Sequence, residues 1–238
     1  MDLTIPCFDP ALIARSGQCF RMREGKGGIV TALAGADRVR VTPLGGDRFR
    51  FDCPPEDFER RWRAYFDLDT DYAAIEALAA RGDAPLARAA RASHGLRILR
   101  QDPWEALICF LISQRKSIPA IQTCVETLCA RYGARAGRGR NERRAFPTPR
   151  ALLAAGEQGL RACGVGYRAP YLMDAARRVA TGETNLETMA LLGDEATVKR
   201  FRRQRGRVWL QPENPNYMPI DASSAKLLGL VKAVVRNY

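Results

Sequence analysis

The 238-residue chain holds one histidine, His94, and its 38 basic residues include only five lysines, at 26, 116, 199, 226 and 232. Arginine cannot replace lysine as an amine nucleophile, so few positions can supply one. No apolar run is long enough to cross a bilayer, and the Met1-Asp2 opening is not that of a secretory signal. The expectation is a cytoplasmic protein with no membrane partner. The seven cysteines (7, 19, 53, 109, 124, 129 and 163) never fall at C-x-x-C spacing. With a single histidine beside them, a zinc or iron–sulfur centre is not expected, and neither is any other cofactor. Their odd number and scatter read as reduced thiols. Acidic residues are also scarce: 26 against 38 basic gives a net charge of +12. Such a balance favours a polyanionic partner, because each phosphate contact releases counterions. Arginine-rich proteomes share it, so charge alone does not name the partner.

What is present is a globular composition, 46% hydrophobic, in a chain long enough for one large or two modest cores. Residues 1 to about 54 read as an antiparallel β meander. Apolar residues alternate or cluster at 18–23, 28–33, 38–42 and 48–52, and glycine-rich turns separate them. Arg38, Arg40, Arg48 and Arg50 fall on the polar side, as on a solvated face. After Pro54-Pro55 the period becomes helical, with helices expected at 56–66, 72–80 and 85–92. Residues 135–144 are basic and glycine-rich, as in a surface loop. Helical patterning resumes at 151–155 and 160–179. From Thr197 a basic stretch and then a Pro/Asn-rich one show no clean period, and 222–235 again carries a helical stripe.

The chain is organised around Asp102–Gly133. Asp102 suits an N-cap, Pro103 the first helical position and Glu105 a capping box. Trp104, Leu107, Ile108, Leu111 and Ile112 form one stripe, and Ile118, Ile121, Val125, Leu128 and Tyr132 another. Between them Ser113-Gln114-Arg115-Lys116-Ser117 makes a cationic corner, and Ser117 is expected to cap the second helix. The corner is either a solvated loop or a wedge against nucleic acid. Gly164-Val165-Gly166 is a second feature of this kind. Two glycines ahead of a helix let backbone N–H groups converge on an anion, and Tyr167 and Arg168 add a stacking ring and a planar cation. A tight turn needs the same glycines.

Four stretches, SGQCFRMRE (16–24), LRILRQDPWEALICFLISQRKSIPAI (96–121), LRACGVGYRAPYL (160–172) and MPID (218–221), together resemble the 8-oxoguanine DNA glycosylase/AP lyase family of helix-hairpin-helix glycosylases. The resemblance covers about residues 1–182. It implies an α+β fold: a small antiparallel, TATA-binding-protein-like N-terminal domain (1–92 with its following helices), then an α-helical glycosylase domain (93–238, atypical from 197). It implies a monomer that acts at the bacterial nucleoid on double-stranded DNA with damaged bases, everting oxidised guanine into a pocket. Carried across by position, Gly17 matches the residue whose carbonyl senses the lesion. Arg115, with Lys116 beside it, matches the side chain that fills the vacated duplex. Tyr167 and Arg168, after Gly164 and Gly166, match the wedge. Ala120 stands where some relatives use arginine to read the estranged cytosine. Asp221 matches the catalytic aspartate, and it also suits an N-cap for the final helix.

The sequence departs from this family at one place. The lysine that expels the base and forms the Schiff base closes a Gly-Val-Gly-x-Lys hairpin in the family, whereas residues 201–209 here read FRRQRGRVW. The nearest lysine is Lys199, otherwise read as an exposed residue at a helix end. Three functions follow from the resemblance: a glycosylase/lyase for oxidised guanine, a non-enzymatic DNA-binding homologue, or a monofunctional glycosylase for alkylated purines that needs the aspartate alone.

Overall fold

The computed structural model describes residues 1–137, 143–191, 200–204, 207–211 and 220–221, with side chains as far as residue 189. The chain divides into two compact units, Met1–Thr184 and Asn185–Tyr238.

The first unit opens with a five-stranded antiparallel sheet. It consists of β1 (Asp2–Thr4), β2 (Met22–Glu24), β3 (Val30–Ala34), β4 (Asp37–Gly45) and β5 (Arg48–Phe51), in the order β1-β5-β4-β3-β2. The expected meander is β2 to β5. The added edge strand β1 pairs Leu3 with Phe49, and three residues are too few to show alternation in sequence. The pleat sends Met22, Val30, Ala32, Ala34, Val39, Val41, Phe49 and Phe51 to one buried face. Arg40, Arg48 and Arg50 stay on the exposed side. Helix α1 (Pro10–Arg15), capped by the Asp9 carboxylate on the Leu12 N–H, covers part of that face with Ile13. A continuous helical run covers the rest: α2 (Pro55–Asp57), a π-turn at Phe58–Trp62, and α3 (Arg63–Tyr65). Its aromatics interlock with the sheet edge to face. The Phe51 and Phe58 rings lie 5.1 Å apart, and those of Phe8 and Phe66 5.3 Å apart. Rings of this size dominate the burial of a small core.

A hairpin of α4 (Tyr72–Ala80) and α5 (Ala84–Ala92) follows, each helix capped by an aspartate, Asp71 and Asp83. The helical half then begins with α6 (Pro103–Ser113) and α7 (Ile118–Tyr132). Asp102 caps α6 as expected, accepting from the Glu105 N–H at 2.9 Å. Ser117 makes no side-chain bond at the start of α7. Between α7 and the next helix the backbone forms two short strands, β6 (Arg135–Ala136) and β7 (Arg143–Arg144), at the ends of the stretch read as a loop. Then come α8 (Pro149–Leu160), a wide turn at Arg161–Val165, a 3-10 turn at Gly166–Arg168, and α9 (Ala169–Ala180). Ile108, Ile112, Ile121, Val125, Leu128, Leu152, Leu160, Val165 and Leu172 form a second core, distinct from that under the sheet. The expected boundary at 92/93 does not separate the cores by residue number, since Leu99 packs in the first and Phe20 in the second.

The second unit holds α10 (Leu186–Leu191), β8 (Arg200–Gln204), β9 (Arg207–Gln211) and β10 (Ile220–Asp221). The three strands form an antiparallel sheet in the order β10-β9-β8. The basic stretch from Thr197 is therefore β structure where described. The stripe expected at 222–235 lies outside the described residues. The whole is α+β, and no described helix is long and apolar enough to cross a membrane.

Candidate functional site

The site forms around the N-terminus of α7, where three separate segments meet. The first is the α6–α7 corner. Arg115 sits at its apex with φ +54°, a left-handed backbone that non-glycine residues adopt only when their surroundings impose it. Gln114 and Arg115 are exposed, and Lys116 is half-buried. The second segment is the turn into α9. Gly164 and Gly166 take φ +80° and +61°, which lets the chain double back before the helix. Tyr167 stands at its tip, 52% exposed.

Two cationic side chains bind these segments together. The Lys116 ammonium donates to the Gly164 carbonyl at 2.9 Å. The Arg168 guanidinium donates to the Gln114 carbonyl and, at 3.3 Å, to the Val165 carbonyl. Arg168 lies under the surface at 7% exposure, with its guanidinium 4.4 Å from the centre of the Tyr167 ring. The cation expected beside the wedge is therefore beneath it: it supports the ring and fastens one tip to the other. The Cys124 thiol also donates to the Gly164 carbonyl, at 3.2 Å. A side chain at 164 would crowd that sulfur.

The third segment is the loop between α1 and β2. Gly17 has φ +79°, and a Cβ built on it would stand 3.6 Å from Ile118 Cδ1, at the first turn of α7. Gln18 fixes this loop. Its amide donates to the Arg97 carbonyl at 2.9 Å and accepts from the Leu99 N–H at 2.9 Å. Its own carbonyl accepts from the Gln101 amide at 2.7 Å. Sequence reading singled out Gly17 and passed over Gln18 and Gln101, although Gln18 adjoins Gly17 in the motif that marked it.

The geometry thus brings Gly17, Arg115, Lys116, Gly164, Gly166, Tyr167 and Arg168 to one place. Ile118, 47% exposed, adds an apolar floor between Gly17 and the corner. An exposed ring, an exposed arginine residue at a strained apex and convergent backbone suit a stacked, anionic ligand. Asp221 is in β10 of the second unit, where its backbone pairs with Trp209. Lys199 lies outside the described residues.

The sheet half and the helical half each bury a charged side chain, Arg21 and Glu105. Glu105 is 7% exposed, and burial lifts its carboxyl from 4.5 to about 7, against the lowering influence of Arg21. Arg21, 3% exposed, donates to the Arg144 carbonyl at 2.5 Å and lies 4.0 Å from Glu126. Its Nε and Nη1 have no hydrogen-bond partner.

Two family models cover almost all of the chain. One, the 8-oxoguanine DNA glycosylase N-terminal domain, matches residues 2–107. The other, the HhH-GPD superfamily base excision DNA repair protein, matches residues 108–233. Among solved structures, the chain is similar to the Clostridium acetobutylicum 8-oxoguanine glycosylase/lyase in complex with double-stranded DNA containing cytosine opposite 8-oxoguanine. The TM-score is 0.75 at 34% identity, over 80% of this chain and 65% of that one. Some curated relatives are of another kind. LexA repressor of Nocardioides sp. is 39% identical over 101 residues, 39% of each chain. LexA repressor of Bifidobacterium longum is 57% identical over 48 residues, 20% of each. The chain spans under half the length of these curated relatives and under two thirds of that solved glycosylase.

Proposed function

The chain belongs to the HhH-GPD superfamily of base excision DNA repair proteins, within its 8-oxoguanine glycosylase family, and from that premise we propose that it is a DNA glycosylase/lyase for oxidised guanine in duplex DNA. The observation that carries the proposal is the bridging of two tips. Lys116 and Arg168 hold the Arg115 corner and the Tyr167 turn side by side, so both side chains meet a duplex together. Tyr167 enters the base stack, Arg115 occupies the space left by the everted nucleotide, and the Gly17 carbonyl accepts from the proton on N7 of the lesion. Unstacking costs a few kcal/mol, and this insertion offsets it. Asp221 supplies the carboxylate that stabilises positive charge at the sugar, and Lys199 the amine that attacks C1′ as the base leaves. The protein acts as a monomer at the nucleoid, and no metal takes part in the reaction.

A second reading concerns the second unit. The solved glycosylase is matched over 80% of this chain, and the Bifidobacterium LexA match takes up 20%. Asn185–Tyr238 forms a compact unit of its own. The HhH-GPD match runs on to residue 233, into that unit. The antiparallel pairing of β8, β9 and β10 supports this reading, since 200–204 and 207–211, where the family's lysine hairpin would fall, are strands. In this reading Lys199 and Asp221 do no sugar chemistry, and the protein binds and everts damaged guanine without releasing it.

Incubation with an 8-oxoguanine duplex under borohydride separates the two. A covalent adduct that disappears in Lys199→Ala, with base release that disappears in Asp221→Asn, supports excision. Lesion-selective binding with neither adduct nor base release supports the second reading. Absence of lesion-selective binding contradicts both.

A further inference from the structure

Among the described residues, one group of side chains has the make-up of a metal site, and the DNA-facing tips make no use of it: Cys7, Glu76 and His94. Their ligand atoms all lie within 4.8 Å of one another. We propose that these three residues bind one zinc ion, with water as the fourth ligand, and that the ion fastens the α4–α5 hairpin to the sheet.

The ligands converge because the backbone around each is fixed. Cys7 takes φ +50°, a conformation with a real cost for a residue with a side chain. Arg97 maintains it by donating to the Cys7 carbonyl at 2.9 Å and the Pro6 carbonyl at 3.0 Å. The Cys7 thiol then points at Glu76 Oε2, 3.5 Å away. His94 Nδ1 reaches the same oxygen at 2.7 Å. The other carboxylate oxygen, Oε1, accepts from the Gly95 N–H at 3.1 Å, the type of outer contact that orients a ligating carboxylate. Gly95 is itself pinned. Its carbonyl accepts from the Asp9 N–H at 2.8 Å, and a Cβ there would lie 2.8 Å from the Asp9 nitrogen.

A tetrahedral zinc with ordinary Zn–S, Zn–N and Zn–O bonds sets its ligand atoms roughly 3.3–3.6 Å apart. The sulfur–oxygen pair already has that spacing, and the imidazole has to move off the carboxylate oxygen, now 2.7 Å away, to a like distance from oxygen and sulfur. His94, with 65% of its side chain exposed, is free to do so. Thiolate, imidazole and carboxylate together favour zinc over the harder magnesium and calcium. Binding exchanges the thiol proton and any imidazolium proton for the metal.

The location gives the ion a purpose. Helix α4 buries only Tyr72 and α5 only Ala87, while Ile75, Leu78 and Leu86 stay exposed. A hairpin so thinly anchored gains from a bond to the segment between β1 and α1. The ligands sit at 7, 76 and 94, a spacing that no short zinc motif describes.

The test is cobalt titration of the full chain, followed by zinc competition. One Co²⁺ per chain should produce a thiolate-to-metal charge-transfer band that zinc abolishes. Cys7→Ser should lose the band, and His94→Ala should weaken binding at least tenfold. Zinc in hundredfold excess over its Kd should raise the melting temperature by roughly 5 °C in the wild type and not in either variant. His94 is exposed, so its variant stays folded and keeps the test interpretable. Cobalt binding without the thiolate band, or equal binding by wild type and both variants, overturns the proposal.

Discussion

Glu105 is the residue whose chemistry is furthest from ordinary. Burial holds its carboxyl at about 7, so the folded protein keeps a proton that the unfolded chain gives up near 4.5. Proton linkage then makes stability fall as pH rises through that window. Glu105→Gln should remove the dependence and add roughly 3 kcal/mol above pH 7, read by urea unfolding near pH 5 and pH 8. Equal destabilisation at both pH values would mean instead that the ionised carboxylate is needed to compensate Arg21. Gly17 is a different case. Its left-handed backbone makes Gly17→Ala cost about 1 kcal/mol, while the new methyl meets Ile118 at ordinary contact distance. The variant should fold and bind DNA but discriminate less between oxidised and normal guanine, as measured by competition between the two duplexes. Gly17 was legible because a specific motif surrounds it. Glu105 was legible only as a capping residue, since its depth depends on how the two halves of the first unit close over it.

Among the elements, the α6–α7 corner and the turn before α9 act as one piece because Arg168 joins them. Arg168→Met keeps the bulk and leaves the Gln114 and Val165 carbonyls unanswered. It should cost about 2 kcal/mol in stability and, by loosening Tyr167, also lower affinity for duplex DNA. Tyr167→Ala should leave stability unchanged and cost roughly tenfold in lesion binding, the scale of one lost base–aromatic stack. If both variants lose DNA affinity in proportion to stability, the tips are structural and not a wedge. Helices α4, α6 and α7 were readable from caps and stripes, and the sheet from β2 to β5 from alternation. What sequence could not give was the side on which Arg168 lies. A cation next to an exposed ring reads as a surface group, and only the approach of Gln114 across the fold turns it inward. β8 and β9 were missed for a similar reason: arginines crowd 200–207, and charge conceals alternation.

For the whole molecule, charge and division into units govern behaviour. A net charge of +12 should make duplex binding fall at least about a thousandfold between 50 and 200 mM salt, if six or more phosphates are neutralised. The proposed opening of duplex DNA at damaged guanine rests on the insertion of Tyr167 and Arg115. The most direct measurement is the fluorescence of 2-aminopurine placed beside 8-oxoguanine in a duplex, titrated with wild type and with Tyr167→Ala. A bright, saturable rise with wild type, absent when the lesion is replaced by guanine and largely lost in the variant, is the predicted result. No rise with wild type, or the same rise with the variant, would contradict it.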